Sequence, residues 1–312
     1  MLDTASKAFF QLLAQSGVLK RLASRFGMRR GTSTARRFIA GETVEDAVGA
    51  GRALAAAGLL ATFDHLGEGV STREEADVAT REYLEVVDAA IRSGIERNIS
   101  LKLTALGLDV DRATAVDNLR KILAVAEPAA FFVRVDMENS SHTAVTLDVF
   151  ETLWQQGYRS IGIVLQSALY RSEEDLHRLN ALGARIRLVK GAYREPKAIA
   201  YQKKADVDAA YARMMKTLIT DGTYPAIATH DPVMIDLARA WASERQITPD
   251  RFEFQMLYGI RRDLQTMLVK AGYRVRVYVP FGREWFPYFM RRFGEHPANM
   301  WFVLRGIFRE HT

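Results

Sequence analysis

Eight short runs rich in β-branched and aromatic residues, each followed by a helix-length stretch, constrain this chain more than any other feature. They fall at 59–65, 99–105, 131–138, 160–166, 185–190, 224–230, 252–257 and 274–280. Alternation of this regularity implies parallel βα units, because parallel neighbours need a crossover long enough to hold a helix. Eight such units close most economically into an α/β fold of the (β/α)8 TIM type. An open doubly wound sheet is the other topology the pattern allows. A length of 312 residues, 48% apolar and 26% charged, suits one such barrel. The expected organisation is a helical arm over 1–58 and a barrel over 59–312. The turns at 31–34 and 67–72 read as connections, not linkers.

The runs are not the continuous apolar segments of strands buried on both faces. Val133, Val135 and Met137 alternate with Arg134 and Asp136; Lys102 stands between Leu101 and Leu103, and Arg187 between Ile186 and Leu188. Glu253 and Gln255 interleave with Phe252, Phe254 and Met256, Arg276 and Tyr278 with Val275, Val277 and Val279, and Gln166 ends its run. Alternate residues of a strand point to opposite faces. The apolar parity is therefore expected against the helices, and the polar parity as a charged ring at the barrel mouth. Burying so many charges is costly unless they are paired or liganded. A self-contained network, Lys102 with Asp136 and Arg187 with Glu253, would satisfy the requirement. A catalytic mouth would too, and polar groups drawn from several strands favour it.

Near the C-terminus, Phe286, Phe289, Met290 and Phe293 share one face of a helix that Pro287 suits in its first turn. Tyr288, Arg291, Arg292 and Glu295 share the opposite face. Adjacent guanidinium groups suit bidentate capture of a small carboxylate or phosphate.

The net charge is +6, and basic residues crowd the beginning: Lys7, Lys20, Arg21, Arg25, Arg29, Arg30, Arg36 and Arg37. Phe9, Phe10, Leu12, Leu13, Val18, Leu19, Leu22 and Phe26 lie among them. Such a basic amphipathic helix packs its apolar face on the main domain or rests on an anionic membrane. No nucleic-acid-binding motif accompanies the charge. The chain has no cysteine, which excludes disulfides, iron–sulfur clusters, thiol catalysis and a cysteine-linked flavin. No apolar run spans a bilayer and no signal-peptide arrangement is visible. The expectation is a cytoplasmic protein, peripheral at most to the inner face of the cell membrane.

The sequence lacks GxGxxG after a strand, GxxxxGK[ST], HExxH and GxSxG. Thr229-His230-Asp231 reads as a hydrogen-bonding histidine at a strand end, and no metal site is expected. Residue chemistry alone supports an anion-binding barrel enzyme of unstated reaction.

Leu101-Lys102-Leu103-Thr104-Ala105, Val135-Asp136-Met137-Glu138 and Arg187-Leu188-Val189-Lys190-Gly191-Ala192-Tyr193 resemble segments of proline dehydrogenases. So do Ala228-Thr229-His230, Phe252-Glu253-Phe254-Gln255-Met256-Leu257-Tyr258-Gly259, Arg276-Val277-Tyr278-Val279-Pro280-Phe281-Gly282 and the Tyr288-x-x-Arg291-Arg292-x-x-Glu295 helix. The motifs run in order from about residue 59 to the end, and the chain resembles the monofunctional bacterial type.

The resemblance implies a barrel with a final helix over its mouth and non-covalently held FAD. It implies oxidation of L-proline to Δ1-pyrroline-5-carboxylate, with electrons passed to a membrane quinone. Lys102, Arg291 and Arg292 would clamp the substrate carboxylate, while Leu257, Tyr278 and Tyr288 wall its ring. Asp136 and Arg187 would be the catalytic pair, Arg187 beside the flavin N5 and Asp136 orienting Lys102. Met137, Gln166, Lys190, Gly191, Ala192, Thr229, His230 and Glu295 would join Arg187 in holding the cofactor. Glu68 would pair with the helix arginines when the site closes. Two competing readings are a flavin barrel reductase of the methylenetetrahydrofolate type and a catalytically dead membrane- or nucleic-acid-binding module.

Overall fold

The computed structural model of the protein describes residues 34–295, with side chains through 290. Eight strands, β1 (Leu60–His65), β2 (Asn98–Leu101), β3 (Phe132–Val135), β4 (Ile161–Gln166), β5 (Arg185–Val189), β6 (Ala226–Ala228), β7 (Glu253–Leu257) and β8 (Arg274–Phe281), form a closed barrel in sequence order. Phe63 in β1 pairs in parallel with Ile99 of β2 and Val279 of β8, which rules out the open sheet. β2 and β3 are shorter than their apolar runs because the chain turns at once. The Leu106 and Leu108 N–H groups both donate to the Leu103 carbonyl, and the Thr104 N–H donates to the Glu138 carboxylate.

Helices α2 (Arg73–Ser93), α3 (Arg112–Ala126), α4 (Ser140–Gln155), α5 (Ser172–Ala181), α6 (Lys204–Asp221), α7 (Pro232–Glu244) and α8 (Arg262–Lys270) follow β1 to β7 in turn. An additional helix, α1 (Val44–Ala56), precedes β1 and packs against both β1 and β8. It fills the position of an eighth crossover helix and leaves α9 (Trp285–Glu295) to lie elsewhere. Starts are marked in the sequence: Thr43 and Thr72 form reciprocal caps with Asp46 and Glu75. Asp231 caps α7, with Pro232 in its first turn.

The two parities separate strand by strand. Phe63, Ile99, Val133, Val135, Ile163, Leu188, Phe254 and Val277 are inaccessible to solvent in the layer between strands and helices. Burial of each such side chain stabilises by about 1.5–3 kcal/mol. The opposite parity, including Thr62, Asp64, Ser100, Arg134, Arg187, Glu253 and Arg276, is also buried, and it fills the barrel. Gly162 belongs to that inner set because a Cβ there would stand 2.6 Å from the Arg134 guanidinium.

Helix α9 caps the C-terminal end of the barrel. Trp285 and Tyr288 form a separate apolar cluster with Leu66, just past β1, and with Ala35, Phe38 and Ile39. The short 3-10 turn Thr34–Arg37 is held close by the β7–α8 loop. There Gly259 has φ +74°, and a Cβ on it would fall 1.7 Å from the Arg37 carbonyl oxygen. The basic amphipathic segment expected in the first 33 residues lies outside the described residues.

Candidate active site at the barrel mouth

Inward-facing residues from β1, β2, β5 and β8 converge on Asp136, immediately after β3. Arg187 donates through Nη1 to Asp136 at 2.5 Å and through Nη2 to Ser100 at 2.9 Å. The second Asp136 oxygen accepts from the Tyr278 hydroxyl at 2.8 Å. Ser100 is hydrogen-bonded to Thr62 at 3.0 Å, and Lys102 pairs with Asp64 at 3.5 Å. Lys102, Arg187 and Asp64 are buried, whereas Asp136 and Tyr278 are partly open.

Electrostatics at this end are strained. Burial raises the Asp64 carboxyl above its ordinary range, and Lys102 opposes the shift only in part. Burial also raises Glu138, even though Thr104 donates both its N–H and its hydroxyl to that carboxylate. Tyr278 is pushed far above the usual phenol range by burial and by the neighbouring Asp136 carboxylate. Shifts of this kind gather at functional sites.

Two pairings expected from the sequence are replaced. Asp136 is occupied by Arg187 and Tyr278, while Asp64 takes Lys102. Glu253 binds Arg276, not Arg187. The charged ring expected at the mouth is in fact two layers. Glu253 opens β7, and Arg276 lies opposite Leu60, the first residue of β1, so both belong to the N-terminal end of the barrel. Arg134 is directed the same way, donating to the Ile163 and Arg185 carbonyls.

The expected cofactor residues line the rim from β3 to β7. Gln166 is buried and donates to the Glu138 carbonyl at 2.8 Å. Gly191 has φ +116° at the exposed end of β5, and a Cβ there would stand 3.1 Å from the Gln166 oxygen. Its neighbour Ala192 is exposed. Lys190 is gripped by Asp231 at 2.8 Å and Asp208 at 2.6 Å. Burial draws its pKa down, but the two carboxylates prevail and raise it. Thr229 is buried and accepts from the Asp231 N–H at 3.1 Å. His230 Nε2 accepts the Leu257 N–H at 2.9 Å, which leaves its proton on Nδ1. Met137 packs in the main apolar core, so its side chain sits away from the polar cluster.

Of the substrate-facing set, Leu257 ends β7, and Tyr278 lies over the Arg187–Asp136 pair. Tyr288 is buried in the α9 cluster beside Trp285, deeper than the partly exposed Phe286 and Phe289 expected on the buried face. Glu68 is exposed on the loop after β1. The side chains of Arg291, Arg292 and Glu295 lie outside those described.

Sequence reasoning passed over Thr62, Asp64 and Ser100. The signal was present: Thr62 and Asp64 alternate with Ala61 and Phe63 in the same polar parity. Glu195 was also missed. It accepts the Ser140 N–H at 2.8 Å and the Ser140 hydroxyl, tying the loop after β5 to the start of α4. No local pattern marks that contact.

Residues 47–305 match the family model described as proline dehydrogenase. Proline dehydrogenase 1 of Bacillus subtilis is 42% identical over 301 residues, covering 96% of this chain and 98% of that protein. The proline dehydrogenase of Deinococcus radiodurans is also 42% identical, over 279 residues, covering 88% and 90%. Among solved structures, proline utilization A of Bdellovibrio bacteriovorus superimposes with a TM-score of 0.78 at 29% identity over 83% of this chain. The chain corresponds to 32% of that longer protein. These matches leave the folate-reductase reading without support.

Proposed function

The chain belongs to the proline dehydrogenase family, and from that premise we propose that it oxidises L-proline to Δ1-pyrroline-5-carboxylate at the barrel mouth and passes the electrons to a membrane quinone. The family is FAD-dependent, and the bound flavin supplies the hydride acceptor. The observation that carries the placement is the Arg187–Asp136–Tyr278 cluster next to the Lys102–Asp64 pair, at the strand ends where this fold builds active sites.

The chain's own residues fit the cofactor. Arg187 Nε is buried without a hydrogen-bond partner among the described residues, and Gly191 keeps the end of β5 free of a side chain. In this reading Gln166, Met137, Lys190, Gly191, Ala192, Thr229, His230 and Glu295 surround FAD. The Lys190 ammonium is already shared by Asp208 and Asp231, so it contributes mainly by ordering its strand end. Asp136 holds Arg187 and Tyr278 in register. Lys102, Arg291 and Arg292 take the substrate carboxylate, and Leu257, Tyr278 and Tyr288 enclose its ring. Their positive charge also favours the neutral amine that oxidation requires. Glu68 closes the site by pairing with the helix arginines, and the basic segment within residues 1–33 meets the membrane.

The test begins with colour. The purified protein should be yellow, should release FAD on acid denaturation, and should reduce an artificial acceptor with L-proline. Release of FMN, or no turnover after reconstitution with FAD, would overturn the reading. Arg291→Met and Arg292→Met should each cost about 2–5 kcal/mol in kcat/KM for proline with FAD retained. Deleting residues 4–30 should abolish reduction of vesicle-borne quinone while sparing turnover with a soluble acceptor.

A further inference from the structure

An open cavity of about 1070 Å³ lies at the N-terminal end of the barrel, remote from the mouth. That is ample for a metabolite-sized ligand. Arg97, Arg185, Arg274 and Arg276 line it against Glu96, a surplus of three positive charges among these residues. This end of such barrels ordinarily serves stability alone, and Arg276 conforms, since Glu253 and Glu96 both bind it.

Arg185 does not conform. Its guanidinium carbon lies 4.1 Å from the centre of the Phe132 ring and 4.6 Å from that of Tyr224, so two aromatic rings hold the group. Nε is shut off from solvent without a hydrogen-bond partner, and no carboxylate lies within ion-pair distance of the group among the described residues. Burial lowers its pKa, Glu253 opposes that shift without forming an ion pair, and the Arg276 charge adds to it. A half-buried guanidinium with an unused edge is costly for a structural role. Its neighbours also hold N–H groups in reserve. Arg274 gives one to the Tyr224 hydroxyl, and Arg97 gives one to the Ala129 carbonyl.

We propose that this cavity binds a multivalent oxyanion, a polycarboxylate or a phosphate ester, whose planar or tetrahedral oxygens lie against the edge of Arg185 and are flanked by Arg274 and Arg97. Guanidinium forks suit both groups. The aromatic walls pre-set Arg185, so little side-chain freedom is lost on binding. The site is separate from the proline carboxylate clamp and independent of the reaction proposed above.

Calorimetric titration of the FAD-loaded full-length protein with citrate, and separately with inorganic pyrophosphate, tests this. Sodium chloride at matched ionic strength is the reference. At least one anion should bind saturably at one site, and the stronger of the two identifies the ligand class. Arg185→Gln should weaken that binding about ten- to a hundredfold, the scale for hydrogen bonds to a charged group. Arg274→Gln should weaken it less, and both variants should keep wild-type kcat/KM for proline. Heats no greater than those of chloride, or equal affinity in Arg185→Gln, would overturn the proposal. If Arg185→Gln fails to fold, unchanged affinity in Arg274→Gln would overturn it instead.

Discussion

Both ends of the barrel bury charges of the same strand parity, yet they treat them oppositely. At the N-terminal end, Arg276 Nε and Nη2 reach Glu253 at 2.8 and 3.1 Å, and Nη1 reaches both Glu96 and the Ala61 carbonyl at 2.7 Å. Burial would raise Glu253, but Arg276 overcomes it and holds that carboxyl at about 2. At the mouth, Lys102 stands 3.5 Å from Asp64, the second Asp64 oxygen has no hydrogen-bond partner, and burial prevails, so the carboxyl is raised. The Arg276–Glu253 pair has geometry good enough to favour its ions; the Lys102–Asp64 pair is left short of partners. Ions held short of partners are what a site completed by a charged substrate requires.

The contrast breaks most readily at Arg276. Arg276→Met should destabilise the fold by about 3–5 kcal/mol, because Glu253 is left buried and unpaired. Chemical denaturation measures this, and the folded fraction should keep a wild-type KM for proline. Asp64→Asn should do the reverse. Its stability should remain within about 1 kcal/mol of wild type, since a disfavoured buried charge is removed. Its kcat/KM should nevertheless fall at least tenfold, about 1.4 kcal/mol, because Lys102 loses its anchor. An equal stability loss in the two variants would erase the distinction.

Titration sharpens the comparison. The folded Glu253 carboxyl lies at about 2, below its ordinary value. Its stabilisation is therefore present above the unfolded pKa, roughly 4.3, and is lost as pH falls towards 2. Asp64 and Glu138 are raised, so their contribution is fullest below the unfolded carboxyl range and is lost as pH rises through their folded values. Denaturation midpoints in acid should fall for the wild type and flatten in Glu253→Gln. Asp64→Asn should instead flatten the profile above the ordinary carboxylate range. The smallest effect is expected at the rim. Ser140→Ala removes a partly exposed hydrogen bond to Glu195, at a cost of about 1 kcal/mol, and should show chiefly as faster proteolysis of the loop after β5.

The eight strands and their parity were legible because period-two alternation is a local property: Val133-Arg134-Val135-Asp136 announces its two faces wherever it sits. Much of the polar mouth followed from that parity together with the family resemblance. Thr62 and Asp64 carried the same signal in β1.

What remained for the tertiary structure was the choice of partners. Arg187 meets Asp136 across 51 positions, and Arg276 meets Glu96 across 180. On paper Lys102 balances Asp136 as well as it balances Asp64; only the register of β1 on β2, which sets Asp64 beside Ser100, decides between them. Register likewise divided one list of inward charges into a lower layer built around Arg276–Glu253 and an upper one built around Asp136 and Asp64. Barrel closure seats α1 against β1 and β8, where a crossover helix would lie, while α9 packs over the mouth. A side chain's face is set by its immediate neighbours in sequence, and so this chain's inner and outer residues could be read in advance. Its pairing depends on distances that exist only once the strands have assembled in register, since charge interactions are set by separation and burial, which a linear sequence does not contain.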